Sequence, residues 1–280
     1  VNKSPLNNEF DTIIISHQCC EAKVSLYGGH VLSFKPTGEQ DVFWVSDKAA
    51  YQQGKAIRGG IPLCWPWFGV HDKKTAENPI VNHGFARQSL WQLEHVFADE
   101  KETTVVLSFA GENTHPMWPY AFKVVQTLVF GQAFKQTLSM TNLSSQDAHY
   151  SGALHSYLRV SNPSEVSLER LTGVEYEDKL TNENTRQQSS VSCVGPIDRE
   201  YHSADMMQMV DKQWQRTLTL STEGCQQWVL WNPGTELANT MADIHHNGEQ
   251  EFVCLEAANT HWQPILAGET VSISQTIRVK

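Results

Sequence analysis

Apolar and polar residues alternate with a period of two along much of the chain. Gln126-Thr127-Leu128-Val129-Phe130 and Lys135-Gln136-Thr137-Leu138-Ser139-Met140 carry the pattern clearly, and such alternation marks strands with one buried face. Runs of β-branched and aromatic residues bounded by turn residues predict strands over residues 10–16, 22–26, 31–34, 42–46, 90–97, 103–109, 122–130 and 134–141. Further strands are expected over 148–160, 165–168, 217–221, 227–231, 251–257 and 271–279. Gly28-Gly29, Lys35-Pro36-Thr37-Gly38 and Ser46-Asp47 supply breaks. Residues 172–188 are polar and read as a loop leading to a turn at Gly195-Pro196-Ile197-Asp198-Arg199. One short helix is expected over 235–244, after Asn232-Pro233-Gly234.

About fifteen short strands with almost no helix indicate an all-β fold, a large antiparallel β-sandwich with one or two short helices and a concave face able to hold a site. A doubly wound α/β domain would need amphipathic helices and a glycine fingerprint, and a propeller would need a blade repeat; the chain has neither. No linker divides residues 1–280, so one domain is expected. A hydrophobic content of 40% suffices for a substantial core.

The formal charge of −10 disfavours nucleic acid and anionic membrane as partners. The expected partner is a small molecule, and the expected assembly a monomer or weak dimer. An anionic metabolite would have to be captured locally by converging arginines. The six cysteines have no paired spacing and read as free thiols. No charged-then-apolar leader follows Val1, and no run approaches the roughly 18 apolar residues of a membrane span. A cytoplasmic location is expected.

The densest chemistry lies in Ile57-Arg58-Gly59-Gly60-Ile61-Pro62-Leu63-Cys64-Trp65-Pro66-Trp67-Phe68-Gly69, followed by Asn82 and His83-Gly84-Phe85-Ala86-Arg87. Proline and glycine exclude a continuous helix or central strand here, yet the aromatics are too many for an idle connection. The segment reads as a rigid ledge on which Arg58, His83 and Arg87 converge and Gly59-Gly60 let a ligand approach the backbone. The plain alternative is core aromatics beside solvated arginines. The charged stretch 71–79 reads as a flap over the site.

These motifs resemble those of the hexose-6-phosphate mutarotases (glucose-6-phosphate 1-epimerases), a branch of the aldose 1-epimerase superfamily with the galactose mutarotase-like β-supersandwich fold. The resemblance extends through Leu154-His155-Ser156-Tyr157, Asp198-Arg199-Glu200-Tyr201, Trp231-Asn232-Pro233-Gly234 and Cys254-Leu255-Glu256. It implies an enzyme that opens and recloses the sugar ring, which requires an acid at the ring oxygen and a base at the C1 hydroxyl. The resemblance puts these roles on His155 and Glu256. It assigns substrate binding to Arg58 and Arg87, with at least one on the 6-phosphate, and to Asp198 and His83 on hydroxyls or the ring oxygen; Asn82 would add a polar contact. The chain departs from the family pattern at Gln88, where asparagine is usual, and at Leu158-Arg159, where an aromatic is common.

Taken alone, a histidine in an apolar strand is more often a hydrogen-bonded core residue. Glu256 interrupts an apolar run, where either a salt bridge or a catalytic role would account for it. The inferred reaction needs no metal and no cofactor. Asp243-Ile244-His245-His246 reads as solvated surface rather than a metal cluster. The alternatives to a hexose-6-phosphate mutarotase are a non-catalytic sugar-phosphate-binding or regulatory protein and a mutarotase of unphosphorylated aldoses.

Overall fold

The computed structural model describes residues 2–6, 10–75 and 80–280. Its strands, numbered along the chain, form three antiparallel sheets. The first joins β1 (Asn2–Leu6), β2 (Phe10–His17), β3 (Cys20–Ser25) and β4 (His30–Pro36) in sequence order. An outer sheet runs β12 (Val166–Ser167), β16 (Met207–Asp211), β17 (Arg216–Glu223), β20 (Thr270–Val279), β9 (Ala133–Asn142), β8 (Phe122–Phe130), β7 (Thr103–Gly111) and β6 (Gln92–Ala98). A central sheet runs β14 (Glu183–Arg186), β13 (Glu175–Asp178), β15 (Ile197–Tyr201), β18 (Gln227–Asn232), β19 (Phe252–Ile265), β10 (Ala148–Leu154) and β5 (Leu63–Cys64), with β11 (Tyr157–Arg159) also paired to β19. The expected all-β antiparallel sandwich is what forms, with one α-helix, α1 (Gly234–Thr240), among the described residues.

The hydrophobic effect drives this layering, because each sheet must cover an apolar face. Leu230, Leu255 and Ala257 of the central sheet share one buried cluster with Leu138, Leu218 and Ile273 of the outer sheet and with Ile13, Val24 and Phe34 of the first. Successive side chains of a strand point to opposite faces. In β19, Val253, Leu255 and Ala257 therefore enter that cluster while Cys254, Glu256 and Ala258 face the other way, and in β18 Leu230 goes in while Val229 and Trp231 go out. The outward face is the concave one.

Several elements differ from the sequence expectation. Residues 42–46 make only isolated bridges, Phe43 to Leu158 and Val45 to Gly59, because Asp41 holds the Phe34 and Phe43 amides in a turn. The strand expected over 148–160 breaks after Leu154 and resumes at Tyr157. The polar stretch 172–188 contains the β13–β14 hairpin, and the expected turn at 195–199 becomes strand β15 from Ile197 onward. Strands β1 and β16 were not foreseen; in β16 Met207 and Met209 are buried but alternate with Gln208 over only five residues. Residues 76–79 of the expected flap lie outside the described residues. Its start is anchored: His71 is buried against Trp67, and the Trp262 indole donates to Asp72 at 3.3 Å.

Candidate functional site

Register builds the floor of the concave face. Glu177 pairs with Glu200, Glu200 with Val229 and Val229 with Glu256, so these four stand in one row across β13, β15, β18 and β19. Leu154 faces Ala257 and Tyr157 faces Cys254 in the same register, which sets His155, in the gap between β10 and β11, opposite Glu256. A parallel row carries Asp198, Trp231, Cys254 and Tyr157. Directly paired side chains share a face and lie about 5 Å apart.

A cavity of about 650 Å³ opens over these rows. Arg58, Asn82, His83, Arg87, His155, Asp198 and Glu256, the seven expected site residues, all line it. The His155 Nδ1 and Glu256 Oε1 atoms are 3.3 Å apart without hydrogen-bond alignment, and Nδ1 and Glu256 Oε2 remain buried and without a hydrogen-bond partner. His155 stacks on Tyr157, with ring centroids 4.8 Å apart, and meets the edge of Trp231. Burial holds the imidazole well below the usual histidine range, aided by His83 and Arg87. The same loss of water, with Asp198 and Glu200 nearby, raises the Glu256 carboxyl well above the usual carboxylate range.

The cationic end stands beyond β11. Arg58 donates to the Tyr157 hydroxyl at 2.8 Å and from Nε to Asp243 at 3.0 Å, so its guanidinium is held on two sides. Arg87 sits in a 3-10 turn, donates to the Asn82 carbonyl at 2.9 Å and keeps a buried Nε without a partner. Both arginines also border a second cavity of about 460 Å³, with Lys48, Lys55 and Gln88. Asn82 turns its side-chain oxygen to Lys74 at 2.9 Å.

His83 adopts a left-handed φ of 64° and accepts at Nδ1 from the Gly69 amide at 3.1 Å. Burial and the two arginines push its pKa down. A neutral ring accepting at Nδ1 carries its proton on Nε2, which makes His83 a donor. Gly59 and Gly60 do not face a ligand as expected. Their φ values are +103° and +62°, and an added Cβ would meet the Trp44 and Val31 carbonyl oxygens at 2.3 and 2.2 Å, so glycine is required by the fold's own backbone. Trp67 is fully buried in the core and Phe68 is only partly buried, and both border the cavity.

The opposite end is acidic. Burial first, then Glu200, pushes Asp198 up to about 6. Lys179 reaches Glu177 at 3.0 Å and the buried Glu200 at 3.4 Å. Glu177, Glu200 and His261 form a group with the atom spacing of a metal site, but the Lys179 ammonium already supplies a cation to both carboxylates.

Sequence reasoning gave no site role to Tyr157, Asp243, Lys179 or Glu200. Reading Asp198-Arg199-Glu200-Tyr201 as a strand would have placed Glu200 on the face of Asp198. Asp243, expected as solvated surface, instead secures Arg58 across 185 residues of sequence. Its neighbour His245 packs between Ser46 and Glu251, and Ile244 is buried.

Residues 11–278 match the family model for aldose 1-epimerase. The chain is 32% identical over 278 residues to an Escherichia coli protein named "Putative glucose-6-phosphate 1-epimerase", covering 97% of this chain and 91% of that one. The crystal structure of a protein from Salmonella typhimurium, titled a "putative mutarotase", superposes with a TM-score of 0.90 at 29% identity, covering 99% of this chain and 92% of the other. A galactose mutarotase-like protein from Clostridium acetobutylicum shares the fold, with a TM-score of 0.76 at 16% identity over 100% of this chain and 98% of its own.

Proposed function

The chain belongs to the aldose 1-epimerase family, and from that premise we propose that it interconverts the α and β anomers of hexose 6-phosphates, glucose 6-phosphate first among them. The observation that carries the reading is the buried His155–Glu256 pair, 3.3 Å apart beneath a cavity with two arginines at one end.

In this reading Glu256 removes the C1 hydroxyl proton while His155 protonates the ring oxygen. The C1–O5 bond breaks, the aldehyde turns about C1–C2, and the same groups reverse the transfer. A raised carboxyl is a stronger base, and a depressed imidazole, once protonated, is a stronger acid. The neutral pair and the ion pair hold the same number of protons, so the active form needs only a proton shift inside the pair. Arg58 and Arg87 grip the 6-phosphate through charge-assisted hydrogen bonds. His83 donates from Nε2 to a sugar oxygen, Asp198 accepts from sugar hydroxyls, and Asn82 adds a polar contact at the rim.

Magnetisation-transfer NMR between the two anomeric protons of glucose 6-phosphate measures the exchange directly. His155→Asn and Glu256→Gln each slow it about 100-fold or more, with near-native circular dichroism. Unchanged exchange in both variants removes the assignment. Arg58→Ala and Arg87→Ala raise KM for glucose 6-phosphate and leave any activity on glucose unaltered; equal effects on the two sugars would point to unphosphorylated aldoses instead. Binding of the phosphosugar without accelerated exchange would point to a sensor.

A further inference from the structure

The acidic end of the cavity is built for more than hydroxyls. We propose that the protein accepts 2-amino-2-deoxyhexose 6-phosphates, and that Asp198, Glu200 and Lys179 read the C2 substituent, favouring an ammonium there over a hydroxyl. This rests on the mutarotase reading above, which fixes how the sugar lies.

Ring geometry does the placing. In a pyranose C2 stands directly across the ring from C5, the carbon that bears C6 and its phosphate. The phosphate belongs at the Arg58 and Arg87 end, and C1 with the ring oxygen belongs at His155 and Glu256. The strand order β11, β19, β18, β15, β13 then leaves β15 and the start of the β13–β14 turn as the wall that C2 faces. That wall carries Asp198, Glu200 and Lys179.

Its charge is unbalanced. Lys179 is shared between Glu177 at 3.0 Å and Glu200 at 3.4 Å, and its backbone amide donates to the Asp198 carbonyl at 2.8 Å. Among the described residues the Asp198 carboxylate makes no ion-pair contact like those of Glu177 and Glu200, and Lys179 acts on it only through its charge. Three carboxylates thus surround one ammonium. Facing Asp198 are Glu200 from its own strand, Lys179 and Asp178 from the β13 side and Glu256 from β19. Burial first and then Glu200 raise its pKa to about 6, and Lys179 offsets only part of that. The adjoining floor carries a second unmet polar group, the Glu256 Oε2 atom, which is buried, lines the cavity and has no hydrogen-bond partner. A sugar ammonium would pair its charge with the Asp198 carboxylate as well as donate a hydrogen bond to it, whereas a hydroxyl could only donate.

The test compares glucose 6-phosphate, glucosamine 6-phosphate and N-acetylglucosamine 6-phosphate on the full chain. Anomer exchange is followed by NMR and affinity by calorimetry, below and above the pKa of the amine. Below it, glucosamine 6-phosphate exceeds glucose 6-phosphate about ten-fold in kcat/KM and affinity; above it, the ratio falls to about one or less. The neutral, bulkier acetamide loses to both. Asp198→Asn, and Glu200→Gln as a second variant, bring the ratio measured below that pKa down toward one. Accelerated exchange of glucose 6-phosphate with a ratio at or below one, or with a ratio that neither variant changes, overturns the inference alone. If no sugar phosphate exchanges faster than in buffer, the mutarotase reading fails, and the calorimetric ratio still decides whether the acidic wall selects the ammonium.

Discussion

The outer and central sheets are made of the same kind of strand but differ in what covers them. In β8 and β9 of the outer sheet, buried residues alternate with partly or fully exposed ones, and pairs such as Ser139–Ser272 (2.9 Å) and Thr141–Thr270 (2.8 Å) lie exposed between strands. In β19 of the central sheet eight consecutive residues, Phe252 to Asn259, are buried. Alternation that means core and water in one sheet means core and cavity in the other. A carboxyl and an imidazole placed on the covered second face lose their water without gaining a full set of partners, and their pKa values move in opposite directions for one reason, desolvation.

The contrast can be broken most forcefully at adjacent residues of β19. Leu255→Ala, on the core face, costs about 2–5 kcal/mol in urea unfolding, whereas Glu256→Gln, on the cavity face, changes stability by less than about 1 kcal/mol while slowing anomer exchange. Equal losses would make Glu256 a structural residue and erase the distinction between the two faces.

A second test uses His30, fully buried, bonded to the Gly59 carbonyl at 2.7 Å and depressed to about 4. The unfolded chain binds this proton below its ordinary value of 6.5 while the folded chain does not until about 4. Unfolding therefore takes up a proton in that window. The stability attached to His30 is whole above pH 6.5 and falls as pH falls, by about 1.4 kcal/mol per unit. The difference in urea midpoints between the native protein and His30→Asn, followed against pH, reads this slope; a pH-independent difference would show that His30 is solvated.

The outer sheet is not featureless on its inner side. Gln275 donates to Gln136 at 2.8 Å, Gln136 to Gln126 and Gln126 to the Gly29 carbonyl at 2.6 Å each, and Ser156, next to His155, completes the chain on Gln275 at 3.1 Å. Gln136→Leu strands its neighbours and costs about 1–3 kcal/mol; a neutral outcome would mean the amides are satisfied another way. Ser139→Ala, on the exposed side of β9, sharpens the comparison from below with a change under about 0.5 kcal/mol, measured by the same urea midpoint.

The alternating strands were legible in the sequence because one face apolar and one polar is a local property, and 122–130 was placed with both bounds as observed. The motif residues were legible through resemblance. The β13–β14 hairpin was not, since its residues are largely polar and gain their place by pairing with β15. Asp243 was not, since nothing near it in sequence marks it as the support of Arg58.

What the sequence determined by itself is the fold class, through local alternation of side-chain type, and, through the resemblance of its motifs to a known family, which seven residues to look for in the cavity. Which of those residues face each other, that Gly59 and Gly60 serve the backbone rather than a ligand, and that one end of the cavity is cationic and the other acidic were decided by tertiary structure alone. The reason is register. A shift of one residue between paired strands turns every side chain to the opposite face, and the shared core of the three sheets selects the one alignment that buries Leu255 and Ala257 and leaves Glu256 opposite His155.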